Sequence, residues 1–174
     1  MLNRRYLVVS VVLVLLVAVL AGCGAGAAML PDREVTVSID EALAAQDAAM
    51  AGLLTGQAEW TESQFSSLVT ELIKQNLGAG APVQEVKAWF TPEGIVVAAA
   101  LADGSQVVLA GDVMVENNRV KLDLKEAAAM GMVAAGPVLD MVEGAINRAL
   151  DAPELGVAVA VDTGDGTLSL GLGQ

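Results

Sequence analysis

The stretch Ile95–Glu126, IVVAAALADGSQVVLAGDVMVENNRVKLDLKE, decides the fold class. It divides into three runs of β-branched and apolar residues, Ile95 to Ala102, Gln106 to Glu116 and Arg119 to Glu126. They are separated by Asp103-Gly104 and Asn117-Asn118, pairs that favour tight hairpin turns because they tolerate positive φ. The last run alternates cleanly, with Val120, Leu122 and Leu124 against Lys121, Asp123 and Lys125, as a half-buried strand must. Just upstream, Val86, Ala88 and Phe90 alternate with Lys87, Trp89 and Thr91, and Pro92-Glu93-Gly94 turns the chain. Four strands with three short turns make an antiparallel meander.

Two of these runs break the usual rule. Ile95 to Ala102 is apolar on both sides. In the next strand Val108, Ala110 and Met114 lie opposite the equally apolar Val107, Leu109, Val113 and Val115. A sheet with one wetted face shows polar residues there. The sequence therefore predicts that something shelters the outer face: a helix, a partner chain, or curvature of the sheet around an apolar ligand. Small residues (Ala98, Ala99, Ala100, Ala110, Gly111) leave room for close packing or for such a ligand.

Working outward, Thr61 followed by Gln64 is a capping-box signature. Phe65, Leu68, Val69, Leu72, Ile73 and Leu77 then recur at helical spacing, ending at Gly78 and Gly80. Ser66, Ser67, Thr70, Glu71, Lys74 and Gln75 are assigned to the solvated face of this helix. An earlier alanine-rich helix starts at Ser38 or Asp40, is weakened by Gly52 and ends at Gly56. Val35 to Ser38 reads as a short N-terminal strand. Gly136-Pro137 opens a third helix with the stripe Leu139, Val142, Ile146 and Leu150. Val157, Val159 and Val161 return through Asp162–Gly166 to Leu168, Leu170 and Leu172 as a closing hairpin. The expected fold is α+β: a curved antiparallel sheet, made of the meander, the terminal hairpin and the short N-terminal strand, packed on two to three helices. Met130 and Met132 around Gly131 are read as an adaptable lip or as core filling.

The two ends of the chain differ in kind. Met1 to Tyr6 carries Arg4 and Arg5, and Leu7 to Gly22 is apolar but for Ser10, the layout of a secretory signal. The run is shorter than the ~20 residues needed to span a bilayer. It closes in Leu20-Ala21-Gly22-Cys23, which resembles the lipobox of bacterial lipoproteins. That resemblance implies cleavage before Cys23, acylation of its sulfur, and attachment to the extracytoplasmic face of the cell membrane, or to an outer membrane if one is present. The division expected is a lipoprotein signal peptide over 1–22, a lipidated tether over 23–33 and one domain over 34–174. Cys23 is the sole cysteine, so no disulfide forms within the chain.

Without Arg4 and Arg5, seven basic residues face 21 acids, a net charge of about −14. Phosphate backbones are repelled by such a surface, which argues against nucleic acid as a partner. The chain has no histidine, the usual general base and metal ligand. No serine lies in a nucleophile-elbow pattern, and Asp162 and Asp165 miss the spacing of a calcium loop. No catalytic residue, metal site or cofactor is expected, and the chain is read as a non-enzyme.

The order of these pieces carries a second resemblance. A lipobox, W-T-E-x-Q-F-x-x-L from Trp60 to Leu68, turns reading P-E-G and D-G, G-P-V-L-D-M-V-E-G-A-I-N from Gly136 to Asn147, and a closing V-A-V-A-V-D hairpin follow one another. Together they resemble small envelope lipoproteins whose domain looks like half of a tubular lipid-binding module of the bactericidal/permeability-increasing protein superfamily. The resemblance implies a groove between sheet and helices holding a lipid or other apolar molecule, lined by Phe65, Leu68, Leu72, Leu139, Val142 and Ile146, with Val97 and Leu109 on the sheet side. The sequence thus carries two expectations. One is a membrane-anchored carrier of an apolar ligand. The other is an interaction module docking another envelope protein or a second copy of itself.

Overall fold

A computed structural model describes residues 30–129, 132–133, 136–151 and 157–173. The signal peptide, Cys23, the first part of the tether and the Met130 half of the methionine lip lie outside the described residues. Helix α1 (Ile39–Thr55) is followed by strand β1 (Gln57–Thr61), helix α2 (Glu62–Leu77) and a short 3-10 turn (Gly78–Gly80). The meander is β2 (Val83–Thr91), β3 (Gly94–Leu101), β4 (Gln106–Glu116) and β5 (Arg119–Ala129), with the two-residue β6 (Met132–Val133) added to its end. Helix α3 (Gly136–Leu150) and the hairpin β7 (Val157–Thr163) and β8 (Thr167–Gly173) complete the chain.

The strands form two antiparallel sheets. Five follow one another in sequence order from β2 to β6, and three are ordered β1-β8-β7. The α+β class and the four-strand meander are as the sequence predicts. The turns follow their residue chemistry: Asn117 and Asn118 take φ of 53° and 63°, and Gly104 takes 83°. Both helix starts are also as read. Ser38 accepts from the Glu41 amide to cap α1, and Thr61 and Gln64 complete the capping box of α2.

Two local readings change. Val35 to Ser38 is extended but joins neither sheet. Its amides turn instead to α2: Thr36 N–H donates to Ser63 Oγ at 3.1 Å, and Ser38 N–H to Ser67 Oγ at 3.0 Å. The strand paired with the terminal hairpin is Gln57–Thr61, in register Gln57 to Gly171 and Thr61 to Thr167. Trp60 therefore belongs to a strand, with only Thr61 onward belonging to the helix and its cap. The signal was present but short: Ala58 and Trp60 are buried, and Gln57, Glu59 and Thr61 are exposed.

One core joins everything. α2 and α3 pack on the inner face of the meander, where Val86, Ala88, Phe90, Ile95, Val97, Leu109, Leu122 and Leu124 meet Phe65, Leu68, Val69, Val142 and Ile146. Phe65 stands edge-on to Phe90 at 5.2 Å between ring centres. The buried Trp60 donates its indole N–H to the Ala45 carbonyl at 2.9 Å, tying β1 to α1.

The outer face of the meander is sheltered only in part, and by the chain's own N-terminal arm rather than by a helix, a partner chain or curling of the sheet; Ala110 and Met114 stay partly exposed. Val35, Trp89, Ala98 and Val108 form a second buried cluster with Val96 against it. Trp89 donates its indole N–H to the Arg33 carbonyl at 2.9 Å. Arg33 itself clasps three further elements: its guanidinium binds Glu62 at 2.7 Å, the Phe90 carbonyl at 2.9 Å, and Asp165 in the β7–β8 turn. The hydrogen bond to Glu62 is the main cause that raises the Arg33 pKa above its ordinary value. Residues assigned to the tether thus end in a contact that is part of the fold.

Candidate functional site

The eight residues expected to line a groove are brought together, but as core. Phe65, Leu68, Leu72, Val97, Leu109, Val142 and Ile146 are buried, and Leu139 packs half-buried against them. Two open grooves lie on the outer surfaces of the sheets, and none of the eight lines either. One, of about 610 Å³, crosses the three-stranded sheet between Gln57 and Glu59 on β1, Ser169 and Gly171 on β8, and Ala160 and Asp162 on β7. The other, of about 390 Å³, lies by the β2–β3 turn between Thr91, Glu93, Val96, Ala110 and the Asp112–Lys125 ion pair. Both mix carboxylates with small apolar residues, unlike the continuous hydrocarbon lining that an acyl chain requires.

The polar residues of α2 are where sequence reasoning departs furthest from the structure. Glu62, Ser66, Ser67 and Thr70 are buried. Glu62, Ser66 and Thr70 line up at i, i+4 and i+8 along the free edge of β2. Glu62 accepts from Phe90 N–H at 2.9 Å, Ser66 from Ala88 N–H at 2.9 Å, and Thr70 from Val86 N–H at 3.0 Å. A hydroxyl ridge next to an acid looks like machinery, yet each of these oxygens replaces the missing neighbour of an edge strand. Glu71 and Lys74 remain on the outer side, 2.9 Å apart, as the sequence predicts.

The feature that sequence reasoning missed is on α1. This helix is built with its small side chains inward: Ala42, Ala45, Ala49 and Gly52 are its buried residues. Gly52 is required there, because a Cβ would sit 2.7 Å from that of Ala58 and 2.9 Å from the Gln57 carbonyl oxygen. The close approach leaves the large side chains pointing out. Ile39 is 66%, Leu43 53%, Met50 65% and Leu54 85% exposed, with Leu53 at 40% beside them. The spacing of 39, 43, 50 and 54 keeps all four within about one-sixth of the helix circumference. Helix periodicity is legible in the sequence; which face turns inward is not, since alanine and leucine are both apolar.

Comparison with family models and with curated proteins gives no match to this chain. No helix among the described residues is long and apolar enough to cross a membrane.

Proposed function

We propose that this chain is a lipid-anchored, non-enzymatic interaction module, held at the extracytoplasmic membrane face through Cys23 and acting by contact with another polypeptide. The observation that carries this reading is the outward stripe of α1. Four of its large apolar side chains, Ile39, Leu43, Met50 and Leu54, are each more than half exposed on one side of the helix, and contiguous apolar patches on a monomer are often functional. The lack of histidine supports a non-catalytic role, as does the use of the buried Ser66 and Thr70 hydroxyls by the β2 backbone.

The carrier reading asks more of the molecule. Phe65 and Leu68 on α2 and Val142 and Ile146 on α3 would have to part from Val97 and Leu109 before an acyl chain could enter. Native mass spectrometry of the full chain, extracted in mild detergent, separates the two. The expected result is acyl mass bound covalently at Cys23 and no other lipid. One non-covalent lipid retained per chain overturns the module reading and favours the carrier.

A further inference from the structure

The N-terminal arm is fastened where it reaches the domain. Arg33 donates from its guanidinium to Glu62 at 2.7 Å and to the Phe90 carbonyl at 2.9 Å, and pairs with Asp165. Its own carbonyl accepts from the Trp89 indole at 2.9 Å. Two residues on, Val35 is buried against Trp89, Ala98 and Val108. The arm then follows α2, with Thr36 bonded to Ser63 and Ser38 to Ser67. We propose that this clasp is an orienting latch. It fixes the point where the tether leaves the domain, and so holds the β2–β3 and β7–β8 turns toward the membrane and the β3–β4 turn away from it. This rests on the lipid anchor of the proposed function and adds which end of the module a partner meets.

The clasped groups share one end of the fold. Phe90 is next to last in β2, Glu62 opens α2 and Asp165 lies in the β7–β8 turn, whose Gly166 N–H donates to the Phe90 carbonyl at 3.2 Å. The β3–β4 turn, residues 102–105, lies at the other end of β3, whose eight residues carry the chain about 26 Å.

Tether length turns this placement into a preference. Ten residue steps separate Cys23 from Arg33. Fully extended they reach at most about 36 Å, and as a flexible coil about 18 Å on average. With the β2–β3 end down, the average reach is enough. With the β3–β4 end down, Arg33 stands about 26 Å above the bilayer, and the tether is drawn to about three-quarters of its limit. Without the clasp the chain is free as far as Ile39, sixteen steps from Cys23, and the limit rises to about 58 Å. The latch thus keeps the tether short enough to tell the two ends apart. Charge does not set the direction, because acids stand at both ends: Glu93 and Asp165 near the clasp, Glu85 and Asp103 at the other.

The test uses the full chain produced with its own leader, its Cys23 acylation read by mass. It is placed in phosphatidylcholine vesicles that carry a headgroup-labelled acceptor lipid. A donor dye is attached at Glu93→Cys in the β2–β3 turn or at Ala102→Cys in the β3–β4 turn, both exposed positions. Energy transfer to the lipid is expected to be at least twofold more efficient from Glu93→Cys. Two further variants lengthen the free tether. One inserts ten Gly-Ser residues after Gly26, ahead of the fold. The other combines Arg33→Ala with Val35→Asp, which removes the clasp and puts a charge where the arm is buried. Each is expected to at least halve the excess transfer from Glu93→Cys. Equal transfer from the two dyes on an acylated chain, or more from Ala102→Cys, overturns the proposal and leaves the interaction-module reading standing. So does an excess that the insertion leaves unchanged, a result that stands even if the double variant unfolds. An excess that survives the double variant, with circular dichroism showing a folded domain, overturns the role of the clasp. A chain without acyl mass at Cys23 overturns the proposal together with the anchor.

Discussion

The meander has two free edges and a helix lies along each, but the two closures differ in depth. On the β2 side, α2 presents Glu62, Ser66 and Thr70, all buried, to three outward amides of the strand. On the β5 side, before β6 takes over, α3 presents Glu143 and Asn147. Glu143 accepts from Leu124 N–H at 2.9 Å; Asn147 accepts from Leu122 N–H at 2.7 Å and returns a bond to the Leu122 carbonyl at 2.9 Å. These contacts are only partly buried. Both helices solve the same problem, an unpaired strand edge that would otherwise recruit another strand. The comparison teaches that the cost of losing a helix–edge contact should follow its burial, because water can replace a lost partner on the β5 side and cannot on the β2 side.

The largest break in the comparison is Glu62→Ala. It orphans the buried Phe90 amide and strips Arg33 of its main partner, so about 3 kcal/mol of stability is lost. Urea denaturation should show this as a lower midpoint with unchanged slope. Next is Thr70→Val, which keeps the shape but removes the acceptor for Val86 N–H; a loss of about 2 kcal/mol is expected by the same measurement. On the opposite edge, Asn147→Ala frees both polar groups of Leu122 by removing a half-buried side chain, which opens a path for water, and about 1 kcal/mol is expected. Equal losses at Thr70 and Asn147 would refute the burial argument. The smallest effect is Glu143→Gln, whose side-chain oxygen still accepts from Leu124 N–H. Its cost should stay below about 0.5 kcal/mol, with amide exchange at Leu124 little changed.

What can be read in advance depends on how local its cause is. The turns at Asp103-Gly104 and Asn117-Asn118, the capping box at Thr61 and Gln64, and the Gly56 stop are set within a few residues, and each stands where the sequence placed it. β1 escapes because five residues between a glycine stop and a capping box give too short an alternation to separate from the helix that follows. Ser66, Ser67 and Thr70 read as solvated because a hydroxyl on a helix is ambiguous: solvent satisfies it, and so does a strand edge. The eight residues expected around a groove do come together as a set. Whether they enclose a void or fill one is a matter of packing volumes contributed by several elements at once.

The sequence alone determined the class of this fold, its turns and caps, its acidic net charge and its lack of histidine. These follow from dihedral preferences, short periodicities and counts, which need no knowledge of distant residues. Tertiary structure alone decided that α1 turns its alanines inward and its leucines out, that α2 spends its hydroxyls on a strand edge, and that the N-terminal arm covers Trp89 and Val108. Each is a choice between two chemically acceptable faces, and it is settled only by how closely two backbones can approach and by which polar groups would otherwise be buried without a partner.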